Sequence, residues 1–241
     1  PGRRAPSAPA AARRTLQEDV YRRLRRALMT GEVVPGQTVT VRAFAERFGT
    51  SPMPVREALR RLVAERAFEA LPNGSLRVRL MGETQRQHAR AIRALLEGVA
   101  VARAAQRISG DELAQARRVN EAMKQALRAR DLKAVMLANQ EFHFLLYRAA
   151  RSEVLAELIE RLWVQNGPFV MLHLIDLAGR DGGGARLQLT DRHDLILDAL
   201  AAQDAQAATA ALVEDLMQTA STRESEAGHL LAHLPPPRGP A

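Results

Sequence analysis

The sequence contains no cysteine and no long hydrophobic run. Its 241 residues therefore offer neither a disulfide nor a thiolate metal ligand, which fits a reducing compartment. No apolar segment approaches the roughly 20 residues that a membrane-spanning helix needs. The arginines near the N-terminus are not followed by an apolar stretch, so no secretory signal is expected. We expect a cytoplasmic protein without a membrane partner.

Lysine is absent from residues 1–80, which nevertheless carry 16 arginines against 7 acidic residues, a net charge of +9. Residues 81–241 hold 19 basic and 20 acidic residues, a net charge of −1. The net charge of +8 for the whole chain therefore belongs to its N-terminal third. A positive field restricted to one module is what a surface that faces DNA phosphates requires.

The segment from Phe44 to Arg61 predicts two short helices joined by a tight turn. Gly49 ends the first helix, and Thr50 and Ser51 offer an N-cap for the second. The second helix has an apolar stripe and a basic face, formed respectively by Val55, Leu59 and Leu62 and by Arg56, Arg60 and Arg61. This arrangement is typical of a helix-turn-helix, which places its second helix in the DNA major groove. The pattern alone leaves open an ordinary helical hairpin with a solvated arginine face.

The surrounding residues predict a winged helix-turn-helix over residues 15–80. A further helix is expected at 16–30, and a short one at 41–48 is capped by Thr40. After residue 65 the hydrophobic period changes from 3.6 to 2, which indicates two short strands at 68–71 and 76–79. Pro72, Asn73 and Gly74 between them predict a hairpin turn, so these strands form a small β-hairpin wing.

The remainder predicts an all-α bundle of six to seven helices over residues 83–230, which makes the fold mainly α. The expected helices cover 84–107, 111–129, 131–150, 152–177, 185–202 and 204–226, with a loop from Ala178 to Gly184. Residues 1–14 are rich in proline, alanine and arginine, and we expect a disordered basic arm. Residues 231–241 predict a disordered tail.

Four polar side chains of the bundle have the spacing of a metal site. Asn139 and His143 are four residues apart and so lie on one helix face. His193 and Asp215 each lie 11 residues from Asp204, so they face each other if the last two helices form an antiparallel hairpin. Two imidazoles, a carboxylate and an amide oxygen suit Zn²⁺, Ni²⁺ or Mn²⁺. Spacing leaves a second interpretation open, in which these are a hydrogen-bonded core histidine and a surface histidine.

Residues 19–62 resemble the DNA-binding domain of the GntR family of bacterial transcription regulators. The match rests on FAERFG at 44–49 and above all on PVREALRRL at 54–62. The rest of the chain resembles the helical effector domain of the FadR subfamily. The resemblance implies a homodimer that binds double-stranded operator DNA sequence-specifically. It also implies that a small metabolite, a carboxylate, modulates this binding from the helical domain, either releasing or strengthening it.

The resemblance implies which residues contact DNA: Arg42, Ser51, Met53, Arg56, Arg60, Asn73 and Gly74. Guanidinium groups suit this task because they bind phosphate oxygens or the guanine O6 and N7 atoms. The chain departs from the family at the start of the second helix. Many members carry a basic residue just after the serine that corresponds to Ser51, whereas this chain has Pro52 and Met53. No operator sequence can therefore be carried over from the family.

The resemblance also implies a divalent metal. Many members bind one through an Asp or Asn four residues before a His, together with two later histidines. Asn139 and His143 match the first element and His193 matches the second. The third histidine corresponds to Asp215, so a carboxylate replaces an imidazole and the expected ligands are these four residues.

Arg93 belongs to an R-x-x-L-E string that ends at Glu97 and matches the first helix of the family's effector domain. In such regulators this arginine reaches the ligand cavity, where a guanidinium beside a metal binds a small carboxylate. The expected effector-binding residues are therefore Arg93, Asn139, His143 and His193. An ordinary pair of Arg93 with Glu97, four residues on, is the alternative.

Two other functions are compatible with parts of the sequence. One is a metal-dependent enzyme built on the helical bundle, with an attached nucleic-acid-binding module. It is not expected, because the chain has no paired E-x-x-H motif, no obvious pair of nucleophile and base, and no phosphate-binding loop. The other is an architectural DNA binder without sequence preference, which would not need a long, nearly neutral second domain.

Overall fold

A computed structural model of the chain describes residues 16–180 and 184–218. The N-terminal elements are α1 (Leu16–Met29), β1 (Thr38–Val39), α2 (Val41–Phe48), α3 (Pro52–Ala64), β2 (Phe68–Ala70) and β3 (Leu76–Val78). The C-terminal elements are α4 (Glu83–Ala105), α5 (Gly110–Arg128), α6 (Leu132–Ala149), α7 (Glu153–Arg180), α8 (Gly184–Ala201) and α9 (Ala205–Gln218). The disordered arm and tail predicted at 1–14 and 231–241 lie outside the described residues.

The helix-turn-helix forms as predicted. Thr40 caps α2, since its hydroxyl oxygen accepts a hydrogen bond from the Ala43 amide at 3.1 Å. Gly49 ends α2 in the left-handed conformation, with a φ of 63°. The buried stripes of α1 and α3 pack against each other and form the core of this domain: Val20, Leu24, Leu28, Val55, Leu59 and Leu62.

The wing is a three-stranded antiparallel sheet in the order β1-β3-β2, whereas the sequence predicted a two-stranded hairpin. The additional strand, Thr38–Val39, pairs with β3 and is too short to show a hydrophobic period. The predicted turn is present: Gly74 has a φ of 78°, and its amide donates to the Leu71 carbonyl at 3.0 Å. The Asn73 side chain accepts from the Ser75 amide at 3.1 Å and so closes the turn.

The C-terminal elements form the predicted all-α bundle, with six helices among the described residues. Helix α9 packs against both α4 and α8, and α5 packs against α6. α7 extends to Arg180 and α8 begins at Gly184, so residues 178–180 and Gly184 of the predicted loop are helical, and residues 181–183 lie outside the described residues. Alanine and arginine are good helix formers, which favours this extension of α7. No helix that the structure describes has both the length and the apolarity to cross a bilayer.

The helix-turn-helix domain and the helical bundle meet where α7 lies against α1. Gly167 of α7 is buried there, and a Cβ atom at this position would lie 2.6 Å from the Met29 Cα atom and 2.7 Å from the Leu28 carbonyl oxygen. Nearby, the Gln165 side-chain amide donates a hydrogen bond to the backbone carbonyl of Glu65 at 3.1 Å. Glu65 is the residue at which α3 ends. The helix-turn-helix domain is thus in direct contact with α7.

The variant Gly167→Ala tests this contact. The added methyl group meets backbone atoms of α1, which cannot move aside as a flexible side chain would. Overpacking costs about 1–3 kcal/mol and the better helix propensity of alanine returns up to about 1 kcal/mol, so we expect a net loss of up to about 3 kcal/mol, centred on about 1–2 kcal/mol. Urea unfolding followed by circular dichroism measures the free energy of unfolding. Gly110→Ala is the control, because nothing lies within 4 Å of that position; equal stability of the two variants would contradict the close approach.

Candidate DNA interface and candidate metal centre

Four of the residues predicted to contact DNA line one groove between α2, α3 and the wing. They are Arg42, Arg56, Arg60 and Gly74. The other three are exposed but do not line it: Ser51 and Met53 stand at the start of α3, and Asn73 stands in the turn of the wing. The groove therefore collects three guanidinium groups on the outer side of the second helix of the helix-turn-helix.

The three arginines of this groove differ in their partners. The Arg42 Nε atom lies 2.9 Å from Glu46, and the Arg60 Nη1 atom lies 2.9 Å from Glu57. Arg56 forms no ion pair or hydrogen bond with any residue that the structure describes. Exposed ion pairs contribute about 0–1 kcal/mol each, so phosphate oxygens can replace these carboxylates at little cost. Arg56 has no such carboxylate partner to exchange for a phosphate oxygen.

A second cluster lies inside the bundle, where His143 of α6, His193 of α8 and Asp215 of α9 converge. One ligand atom from each of the three lies within 4.8 Å of the others, and all three residues are buried. The His143 Nε2 atom is 3.4 Å from Asp215 Oδ2, and the His193 Nε2 atom is 3.7 Å from Asp215 Oδ1. Helices α8 and α9 form the antiparallel hairpin that the spacing predicted, with Gln203 in the turn at a φ of 56°.

Asn120 orients the ring of His193. Its amide nitrogen donates to Asp194 at 2.7 Å and to the Thr190 carbonyl at 3.4 Å, so its oxygen is the atom that faces His193 Nδ1 at 3.1 Å. An amide oxygen only accepts, and the His193 Nδ1 atom must therefore carry the ring proton. The Nε2 atom is left with its lone pair, and it has no hydrogen-bond partner among the described residues.

Tyr147 orients His143 in the same way. The tyrosine hydroxyl donates to the Glu97 carboxylate, so it can only accept from the His143 Nδ1 atom, which lies 3.1 Å away. His143 Nε2 faces Asp215: a lone pair there would serve a cation, whereas a proton there would donate to the carboxylate, 3.4 Å away. Two imidazole Nε2 atoms and one carboxylate thus face each other in a buried space.

The protonation states strengthen this picture. Burial lowers the pKa of His193 to about 4, although the charge of Asp215 acts in the opposite direction, so the ring is neutral at pH 7. Burial alone would raise the pKa of Asp215, but the neighbouring His143, His193 and Arg93 outweigh it and lower the pKa below its usual value.

Arg93 and Asn139 border the same site. Both line a cavity of about 20 Å³, together with Asp215 and with Trp163. The Arg93 Nε atom also donates to the Glu97 carboxylate at 2.7 Å, within a buried ion pair. Arg93 thus forms the ordinary pair with Glu97 and also borders the cavity, and its contact with an effector stays a prediction.

The network around this cluster includes two residues that the sequence did not single out, Tyr147 and Asn120. Tyr147 follows His143 by four residues, which is a signal that helix geometry could have supplied. Asn120 lies on α5, far from both histidines in sequence, and nothing in its surroundings marks it. The Trp163 indole donates to Glu97 at 3.0 Å from α7, a contact that only the folded chain brings about.

Comparison with known proteins places the chain in a family. Residues 16–78 match the bacterial regulatory proteins of the gntR family, and residues 88–218 match the FCD domain. The chain belongs to the GntR family. It is 33% identical over 195 residues to the HTH-type transcriptional regulator McbR of Escherichia coli K12, covering 81% of this chain and 86% of that protein. The solved structure of E. coli McbR/YncC has a TM-score of 0.77 at 30% identity, over 85% of this chain and 95% of that one.

Two further proteins are similar to this GntR-family chain. A probable D-xylose utilization operon transcriptional repressor of Paenarthrobacter nicotinovorans is 33% identical over 185 residues, 76% of this chain and 77% of that protein. A putative GntR regulator from Rhodococcus shares the fold, with a TM-score of 0.66 at 24% identity over 90% of this chain and 99% of that one. The predicted family and fold are thus confirmed. The chain is a transcription regulator with an FCD effector-binding domain, and the alternative of a metal-dependent enzyme is set aside.

Proposed function

We propose that this GntR-family regulator binds operator DNA in the cytoplasm as a homodimer, and that a small carboxylate held with a divalent metal sets its affinity for DNA. The observation that carries this proposal is the pair of buried imidazoles whose Nε2 atoms converge on Asp215. Residues 15–80 are the proposed DNA-binding domain, and residues 83–230 the proposed domain for effector binding and dimerisation.

The proposed DNA contacts are the seven residues of the outer face: Arg42, Ser51, Met53, Arg56, Arg60, Asn73 and Gly74. Their support is the shared groove of the arginines and the wing, and the exposure of the other three. Arg56 has the strongest support for reading a base, because its guanidinium is free of described partners. Arg42 and Arg60, which are paired, suit phosphate contacts.

The proposed metal ligands are His143, His193 and Asp215, together with Asn139, which lines the cavity that Asp215 also borders. The residues fit such an ion, because the unpartnered Nε2 atom of His193 and the ionised Asp215 offer it a nitrogen and an oxygen ligand. Two imidazoles and a carboxylate match Zn²⁺, Ni²⁺ or Mn²⁺. A bound ion would supply the positive charge for an effector carboxylate, since the charge of Arg93 is already balanced by Glu97.

The size of the cavity bears on how an effector would bind. A space of about 20 Å³ holds about one water molecule, so a carboxylate metabolite needs the lining to move. Part of that lining is Trp163, Val170 and Leu174 of α7, and the same helix donates from Gln165 to the end of α3. A displacement of α7 would therefore change the position of α3, the proposed DNA-reading helix. An effector that favours the displaced state shifts operator affinity by its difference in affinity for the two states.

Helix α4 supports the homodimer. Three apolar side chains with the spacing of one helix face, Ile92, Leu95 and Val99, are 48%, 70% and 53% exposed. An exposed apolar stripe of this kind is typical of a protein interface, and a second copy across a two-fold axis would cover both stripes at once. A two-fold dimer would place its two α3 helices on a palindromic operator, about one DNA turn apart.

The DNA assignment predicts the effect of Arg56→Ala. Loss of a guanidinium that contacts a guanine should weaken operator binding by about 1–3 kcal/mol. The measurement is fluorescence anisotropy with an operator that the wild-type protein selects from a random DNA library. Arg118→Ala is the control, because this exposed arginine lies on α5, outside the proposed interface. Equal affinity of the two variants would contradict the role of Arg56.

The metal assignment predicts that wild-type protein purified without chelator contains about one metal ion per chain, and that the double variant His143→Ala/His193→Ala contains none. The ion should leave as the pH falls towards the His193 pKa of about 4, because a ligand imidazole must be unprotonated. Elemental analysis over a pH series measures this. His88→Ala, which removes an exposed histidine of α4, should keep its metal.

The carboxylate is tested with the same proteins. In a thermal shift panel of small carboxylic acids, a binding acid should raise the midpoint of metal-loaded wild type and leave the double variant unchanged. Full metal retention in the double variant, or an equal shift in both proteins, would show that the assigned ligands are wrong.

The dimer assignment predicts that Leu95→Glu sediments as a monomer, because a charge would be buried in the interface without a partner. Val154→Glu replaces another exposed apolar residue, 72% exposed at the start of α7, and should remain a dimer. Sedimentation velocity distinguishes these outcomes. A Leu95→Glu variant that stays dimeric would exclude the stripe as the interface.

A further inference from the structure

The outer face of α3 begins with a methionine. At 100° per residue, Met53, Arg56 and Arg60 lie within 60° of one another around the helix, a value that follows from about 3.6 residues per turn. The buried residues Val55 and Leu59 lie on the other side. Met53 is 64% exposed, and the other large exposed hydrophobic residues among residues 16–80, Leu16 and Leu80, stand at the two ends of that range.

The first turn of α3 has few polar groups of its own. Pro52 and Pro54 have no backbone N–H, so two of the donors that a helix N-terminus normally offers to phosphates are missing. Ser51 is the N-cap residue, but its side chain makes no capping hydrogen bond. The first cation of the helix is Arg56, one turn further on. The large exposed apolar side chain in the first turn of the helix is that of Met53.

We propose that Met53 is a specificity-determining residue that selects thymine at one operator position by packing against its 5-methyl group. The proposal rests on the proposed operator-binding function. The N-terminal residues of a reading helix are those that meet base edges in the major groove. Among the four DNA bases only thymine presents a methyl group there, and apolar side chains recognise it by contact. Arg56, three residues on, reads a neighbouring base pair by hydrogen bonds.

This kind of recognition differs physically from that of the arginines. An apolar contact releases no counterions, so loss of Met53 should change which base is preferred without changing how steeply affinity falls with salt. Loss of an arginine that contacts a phosphate should make affinity fall less steeply with salt and leave the base preference unchanged. The two roles are therefore separable by experiment.

The test begins with selection from a random DNA library by four full-length proteins: wild type, Met53→Ala, Met53→Leu and Met217→Ala. Met217→Ala is the matched control, since this exposed methionine lies on α9. Wild type, Met53→Leu and Met217→Ala should enrich one motif with a fixed thymine. Met53→Ala should enrich the same motif with that position degenerate. Circular dichroism checks that all four proteins are folded.

Deoxyuridine then isolates the methyl group. Replacing the fixed thymine by deoxyuridine should weaken wild-type binding about fourfold, the contribution of one buried methyl group. For Met53→Ala, the ratio of the affinities for the thymine and deoxyuridine operators should be close to one. The salt dependence of binding should be the same for wild type and Met53→Ala. Identical motifs and identical deoxyuridine ratios for wild type and Met53→Ala would overturn the inference while leaving operator binding intact. Enrichment of no motif by wild type would overturn both.

Discussion

The carboxylate of Glu97 is the point on which the helical domain depends. It is fully buried, and it accepts hydrogen bonds from three helices: from Arg93 on α4, from Tyr147 on α6 and from Trp163 on α7. A buried charge is tolerated only where it is paired and hydrogen-bonded. Moving any of the three donors away would leave Glu97 without that partner, and this cost keeps them in place. Glu97 also fixes the position of the candidate metal centre, because Tyr147, which donates to Glu97, contacts the His143 Nδ1 atom through its hydroxyl.

The same carboxylate contacts α7, the helix that also contacts the DNA-binding domain. Trp163 faces Glu97, while Gln165, two residues later on the opposite side of α7, faces the end of α3. Gly167 then allows α7 to approach the α1 backbone more closely than any side chain would permit. One helix therefore contacts both places that regulation must connect. This is a physical path between two sites, whose energetic coupling is a matter for measurement.

Much of this architecture could be predicted from the sequence, because its signals are local. Gly49 and Thr40 mark helix ends by their conformation and capping, and the hairpin of α8 and α9 follows from equal spacing about Asp204. The strand Thr38–Val39 could not be predicted, since two residues carry no period. Asn120 could not be predicted either, because its role comes from contacts with α8 that depend on packing across the bundle.

The carboxylate at position 215 changes the electrostatics that the family resemblance implies. With three neutral imidazoles, a divalent ion would leave a site with two positive charges. With Asp215 ionised, the same ion would leave one, so attraction to an anionic effector is weaker. Without an ion, however, the Nε2 lone pair of His193 faces a negative charge rather than a neutral ring, which makes the empty site less favourable. In the proposed metal centre, the carboxylate would thus favour retention of the ion more than attraction of the effector.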